Sequence, residues 1–223
     1  MNLLQTLIVY LLKTGTFLTL RVDAPDLDRV PTAGPLILAV NHINTLDVPI
    51  IEGQLFPRRL IALAKIETWN SRFMGWLFDL FEAIPVRRGE ADLKAIHQCL
   101  QALSHKEILG VAPEGTRSYD GKLQAGLPGI VLLALHSGAP ILPVVHYGGE
   151  AFASNLKRLK RTDFHIRVGR PFCLDSHGER VNSSVRQVMT DEIMREMAVL
   201  LPPAYRGPFA DCDDHPQKYI RYV

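Results

Sequence analysis

The stretch Pro35-Leu36-Ile37-Leu38-Ala39-Val40, followed by Asn41-His42, turns from wholly apolar to polar in one step. A short apolar run opened by proline and closed by polar residues reads as a strand buried on both faces. Similar runs lie at Leu60 to Ala64, Ala83 to Val86, Ile108 to Ala112, Ile141 to Val145 and, alternating, Phe164 to Val168. Between them are helical patterns. Leu93, Ile96, Leu100 and Leu103 recur at three- and four-residue steps, and Ile130 to His136 forms a second apolar segment. A last helix over about Ser184 to Leu201 places Val185, Val188, Met189, Ile193, Met197 and Leu200 on one face before Pro202-Pro203 stops it. Alternating strands and helices predict an α/β fold, a mostly parallel sheet flanked by helices, with functional groups at the carboxyl edge of the sheet. His42 and Glu114 each follow one of these strands.

The 223 residues suit one α/β domain. It is expected over 25–205, preceded by an apolar helical segment over 1–24 and followed by a tail over 206–223. From Leu3 to Leu20 the chain is rich in large apolar residues, but Gln5, Lys13 and several threonines interrupt it, so it is a poor spanning helix. The uncharged start and the mid-segment Lys13 also argue against a cleaved secretory signal. Two readings remain: a helix lying in the membrane interface, with Lys13 snorkelling to the headgroups, or one packed on the protein's own core. The interface is preferred.

A formal net charge of +2, with no long basic stripe interleaved with aromatic residues, argues against nucleic acid as a partner. Local clusters say more. Arg58-Arg59, Arg87-Arg88 and Lys157-Arg158-Leu159-Lys160-Arg161 could face phosphates or an anionic lipid surface, although solvated charge is the plainer reading of the last. Cys99, Cys173 and Cys212 are odd in number and widely spaced, which argues against a disulfide framework or a zinc site and for a reducing compartment. Cys212-Asp213-Asp214-His215 reads as polar tail, and no metal is expected.

His42 and Asp47 would lie about 140° apart on one regular helix. If His42 instead ends the strand in a loop, Thr45 caps a helix and Asp47 occupies its first turn, the carboxylate folds back onto the imidazole. Pro49 fits the first turn of such a helix. That is the chemistry of a general base and its orienter: the carboxylate fixes the tautomer, and the other ring nitrogen takes a hydroxyl proton. With no G-x-S-x-G or comparable cysteine motif, the nucleophile is expected to be the acceptor hydroxyl.

The phrase Asn41-His42-Ile43-Asn44-Thr45-Leu46-Asp47, followed much later by Pro113-Glu114-Gly115-Thr116-Arg117-Ser118, resembles the glycerolipid acyltransferase superfamily, the bacterial 1-acylglycerol-3-phosphate acyltransferases in particular. The likeness covers about Pro35 to Tyr147. It implies that His42 and Asp47 act as base and orienter in direct acyl transfer from a thioester to a hydroxyl. Ile84-Pro85-Val86-Arg87-Arg88-Gly89 resembles a second block, which makes Arg88 the contact to the acceptor phosphate and Arg87 its helper; a guanidinium fork suits phosphate oxygens. Glu114, Gly115, Thr116 and Arg117 would bind the glycerophosphate end. There Glu114 binds hydroxyls or orients Arg117, and amides around Gly115 are possible oxyanion donors. Gly138-Ala139-Pro140-Ile141-Leu142-Pro143-Val144 resembles a fourth block that sets shape. Lys65-Ile66-Glu67 resembles a further acceptor-contacting segment, with Thr68 in place of an apolar residue. Ala112 and Ala125-Gly126-Leu127-Pro128-Gly129 also depart from the family pattern, which bears on acceptor or chain-length preference.

The resemblance implies transfer of a fatty acyl group from acyl-CoA or acyl carrier protein to the sn-2 hydroxyl of 1-acylglycerol-3-phosphate, giving phosphatidate. No cofactor beyond the acyl donor is needed, and the enzyme would sit at the cytoplasmic face of a membrane. Acylation of another lysolipid or glycolipid, thioester hydrolysis and non-catalytic lipid binding remain as alternatives.

Overall fold

The computed structural model describes residues 3–44, 47–90, 92–212 and 217–223. The strands are β1 (Leu20–Asp23), β2 (Leu36–Val40), β3 (Leu60–Lys65), β4 (Ile84–Val86), β5 (Ile108–Val111), β6 (Ile141–Tyr147), β7 (Thr162–Val168), β8 (Phe172–Leu174) and β9 (Ile220–Tyr222). The helices are α1 (Leu3–Thr19), α2 (Asp47–Leu55), α3 (Arg72–Leu80), α4 (Leu93–Ser104), α5 (Gly129–Ser137), α6 (Phe152–Lys157) and α7 (Ser183–Ala198). The sheet runs β1-β7-β6-β2-β5-β3-β4, with β8 paired to β6 and β9 to β8. Among the described residues five of the pairings are parallel, and β6 with β7, β6 with β8 and β8 with β9 are antiparallel.

The run read first lies at the centre. In β2, Leu36 and Leu38 point into a core shared with Ile50, Ile51 and Leu55 of α2, while Ile37 and Ala39 point into the opposite core under α4, α5 and α7. Alternation on a pleated strand explains why every residue of the run must be apolar when both faces are covered. Fully burying each of its three large side chains contributes roughly 1.5–3 kcal/mol, so the end of β2 is a firm platform for Asn41 and His42.

Several details depart from the pattern of large apolar residues. The spacing puts Leu93 on the buried face of α4, yet it is 76% exposed, and the helix buries Ala95, Cys99, Ala102 and Leu103 instead. Small side chains let the helix sit close to the sheet and rotate the contact stripe toward them. Val188 of α7 is also exposed: Met189, Ile193, Met194, Met197 and Ala198 form the contact. Strands β1, β8 and β9 and helices α3 and α6 have no counterpart among the runs read from the sequence. Residues 217–223 pack on the body of the protein rather than forming a free tail, since the buried Glu192 carboxylate accepts from Lys218 N and Tyr219 N at 2.9 and 3.0 Å and β9 extends the sheet. Cys212 is buried, while Asp213, Asp214 and His215 lie outside the described residues.

Helix α1 turns Gln5 and Val9 inward, Gln5 donating to Leu80 O at 2.6 Å, and leaves Leu3, Leu7, Leu11, Phe17 and Leu18 in the open. Lys13 departs from the snorkelling expectation: its ammonium lies 5.9 Å from the Phe56 ring centroid, where a cation–π contact turns it toward α2. Among the described residues no helix is long and apolar enough to cross a membrane.

Candidate active site

Beyond Val40, the Asn41 side chain continues the β2–β6 ladder. Its Nδ2 donates to His146 O and its Oδ1 accepts from His146 N, both at 2.9 Å. The His146 ring, fully buried and stacked 5.2 Å from Phe164, donates Nε2–H to Asn41 O at 2.9 Å. Burial holds the His146 pKa below the ordinary imidazole value, against the pull of Asp47, so this ring stays neutral. The result is a backbone position for His42 set from both sides.

The chain then loops and enters α2 at Asp47. Asp47 Oδ2 accepts from Ile43 N at 2.7 Å and Asn44 N at 2.9 Å, and it faces His42 Nδ1 at 2.9 Å. The carboxylate thus folds back across the loop, sheltered at 2% side-chain exposure and stabilised by backbone amides and its place in the first turn of a helix. With Nδ1–H donated to Asp47, His42 Nε2 carries the lone pair, and the ring keeps 18% of its surface open. Thr45, read as the cap of this helix, lies outside the described residues.

From the end of β5, Glu114 reaches under the same loop. Its Oε1 accepts from His42 N at 2.8 Å and its Oε2 from Gln124 N at 3.0 Å. Burial pushes its carboxyl up to about 7, against those two amides. Among the described residues Glu114 makes no ion pair with Arg117, and each of its oxygens accepts from a backbone amide. Arg117 instead points Nε at His42 Nε2 at 3.4 Å, while Ser118 N donates to His42 O at 2.8 Å. Gly115 has a φ of +66°, a left-handed conformation that glycine adopts without strain. Its N–H donates to Ala112 O at 3.0 Å and is therefore not the free oxyanion donor this turn seemed to offer. Thr116 is exposed.

His42 opens on a cavity of about 490 Å³, within the range of small-molecule sites. His42, Asp47, Lys65, Arg87, Arg88 and Gly115 all line it, together with apolar side chains of β3, β5, α4 and α5; Glu114, Thr116 and Arg117 do not. Arg87, Arg88 and Lys65 are exposed at its rim. The turn carrying the two arginines is held by Asp92, whose carboxylate accepts from Arg87 N at 3.1 Å and caps α4 through Ala95 N at 3.0 Å. Lys65 pairs with Glu67 at 3.3 Å.

Sequence reasoning did not single out His146, Gln124 or Arg186. His146 carries the one available signal, a polar residue ending the apolar run from Ile141. Arg186 of α7 lines the cavity with its Nε buried and without a hydrogen-bond partner, and only the packing of α7 brings it there. Among the described residues no group of three or more His, Cys, Asp or Glu side chains could hold a metal ion.

Lyso-ornithine lipid O-acyltransferase of Pseudomonas aeruginosa is 29% identical over 155 residues, 61% of this chain and 59% of its own length. The 1-acyl-sn-glycerol-3-phosphate acyltransferase of Bacillus subtilis is 26% identical over 145 residues, 65% of this chain and 70% of that one. The chain thus spans less than two thirds of the first of these relatives. The structure of the 1-acyl-sn-glycerophosphate acyltransferase PlsC from Thermotoga maritima superposes with a TM-score of 0.66 over 87% of this chain and 78% of its own, at 20% identity, which speaks for the fold. A family model described as Acyltransferase matches residues 21–147, more than half of the chain and the whole span from β2 to β6 that builds the His42 loop; this protein belongs to the acyltransferase family.

Proposed function

We propose that this chain is an O-acyltransferase that moves a fatty acyl group from acyl-CoA or acyl carrier protein to the sn-2 hydroxyl of 1-acylglycerol-3-phosphate, giving phosphatidate. The observation that carries this reading is the 2.9 Å contact from His42 Nδ1 to the buried Asp47, which leaves Nε2 as a base facing a largely apolar cavity. The acceptor hydroxyl takes the place of the long Arg117 contact at Nε2. It gives its proton to that nitrogen as its oxygen attacks the thioester carbonyl. The tetrahedral intermediate collapses, the C–S bond breaks, and the thiolate leaves with the proton returned by His42. Asp47 keeps the imidazole in the required tautomer and balances the imidazolium. No acyl-enzyme and no cofactor enter this scheme.

Arg88, helped by Arg87 and Lys65, takes the acceptor phosphate at the rim, while Arg117, Thr116 and the Gly115 turn border the reacting end. The domain over 25–205 does the chemistry. The open apolar face of α1, in the segment 1–24, lies on the cytoplasmic leaflet of a membrane, from which the lysolipid enters. A second acceptor, lyso-ornithine lipid, is favoured by the name of the Pseudomonas relative. It lacks a phosphate and would leave Arg88 with little to bind.

Incubating the purified protein with labelled acyl-CoA and a panel of lysolipids tests the reading. Acylated lysophosphatidate supports it, acylated lyso-ornithine lipid alone moves the acceptor, free fatty acid alone means hydrolysis, and no turnover leaves lipid binding.

A further inference from the structure

The basic run set aside as solvated charge occupies a particular place. Helix α6 ends at Lys157, and Arg158 to Arg161 lead into β7. Because β7 runs antiparallel to β6, with His165 opposite Tyr147, β7 begins beyond the end of β6, at the edge of the sheet that carries His42. Leu20 of β1 pairs with Thr162, so α1 also ends at that edge, three strand spacings or about 14 Å across from β2. Arg161 ties the two segments together. Its NH2 donates to Phe17 O at 2.7 Å, its Nε to Leu20 O at 3.0 Å, and its guanidinium lies 5.4 Å from the Phe17 ring centroid.

What surrounds Arg161 is unusual for a solvated loop. Leu159, at the tip, is 94% exposed and has φ +55°, a left-handed conformation that costs a leucine energy and that glycine or asparagine would adopt more readily. Neither core packing nor backbone preference accounts for a leucine there. Phe17 and Leu18 stand open at the adjoining end of α1. Lys157, Arg158 and Lys160 flank the tip, are exposed, and make no ion pair among the described residues. Apolar tips ringed by unpaired cations match a surface with anionic headgroups above an apolar layer.

We propose that the loop 157–161, with the end of α1, docks on an anionic lipid bilayer: Lys157, Arg158 and Lys160 meet the headgroups and Leu159 enters the acyl region. The inference rests on the lipid-facing reading of α1 and extends it to a second segment, at the edge of the sheet where the acceptor is acylated. An acidic acyl carrier protein would satisfy the cations but would leave Leu159 without an apolar partner of matching depth.

The test uses the full chain and vesicles of phosphatidylcholine, with or without phosphatidylglycerol. The variant K157Q/R158Q/K160Q is expected to lose affinity for the anionic vesicles on the order of 100-fold at low salt, with affinity for neutral vesicles unchanged. Leu159→Ser should weaken binding to both roughly 10-fold. Arg161 is left intact because it holds α1. Both variants should keep the unfolding temperature of the parent, and the triple variant should retain acyl transfer to lysolipid in uncharged detergent micelles. Unchanged affinity for anionic vesicles overturns the proposal, as does an equal loss on both kinds of vesicle. So does retained vesicle binding with lost binding to acidic acyl carrier protein. Absence of acyl transfer by the parent protein would count against the enzymatic reading while leaving the vesicle result standing.

Discussion

The two ends of the cavity are built differently. At the inner end, His42 and Asp47 are locked by backbone, with Glu114 behind them outside the cavity lining: Asp47 accepts two amides and Glu114 two more, one of them from His42 itself. At the rim, Arg87, Arg88 and Lys65 are long exposed side chains on short turns. Groups that must hold a proton in one geometry gain from preorganisation, because reorganising them at the moment of reaction would raise the barrier. Groups that only grip a charged headgroup work from flexible side chains. The inner end should therefore control turnover, and the rim should control which acceptor is used.

The sharpest way to break that contrast is His42→Ala, for which kcat should fall by about 10³–10⁴-fold with the unfolding temperature unchanged. Turnover at the parent rate would remove His42 as the base. Asp47→Asn keeps the shape but cannot orient the imidazole in the same way, and a loss on the order of 10³-fold in kcat is expected, with acceptor KM little altered. A change confined to KM would move Asp47 from the inner class to the rim class.

A third carboxyl serves as the control. Glu52, on α2 one and a half turns past Asp47, is pushed up to about 7 by burial, with Arg59 pulling the other way. Its folded value lies above its unfolded value of about 4.5, so its contribution to stability is complete below that unfolded value and is lost as pH rises toward 7. Glu52→Gln should therefore gain on the parent in chemical denaturation between pH 5 and pH 8, by at most about 3 kcal/mol, with kcat retained. An equal gain at both pH values would show that the carboxyl is not strained by burial.

The smallest effect is expected at the rim. Arg88→Ala should raise KM for a phosphorylated acceptor on the order of 10-fold and leave kcat and unphosphorylated acceptors nearly as they were. Equal losses on both acceptors would detach Arg88 from phosphate recognition.

The central strands and the His42 loop were legible because their signals are local. A buried strand in a mostly parallel sheet must be apolar at every position, as β2 is, and a carboxylate five residues past a strand-ending histidine can return to it only if a loop and a helix start intervene. The first turn of α2 provides that start. The stripe of α4 was misjudged at Leu93 because spacing of large side chains does not register how closely Ala95, Cys99 and Ala102 let a helix approach. Strands β1 and β9 were invisible because Arg21, Asp23 and Arg221 break up the apolar runs by which the equally short β4 and β5 were read, and β8 because its run spans only Phe172 to Leu174.

By itself, the sequence determined the class of fold, the pairing of His42 with Asp47, the approach of the Glu114 block to the same sheet edge, and the acyltransferase resemblance. The first three rest on contacts between near neighbours or on the rule that strand ends converge, and the last on the two motifs at Asn41 to Asp47 and Pro113 to Ser118. Only the tertiary structure decided that Glu114 serves the backbone of His42 and leaves Arg117 to the imidazole, that His146 clamps Asn41 from 105 residues away, and that Lys157 to Arg161 adjoin the end of α1. Those are choices among partners distant in sequence. Which donor reaches which acceptor depends on the packing of β6, β7 and the turn after β5, and no local pattern encodes it.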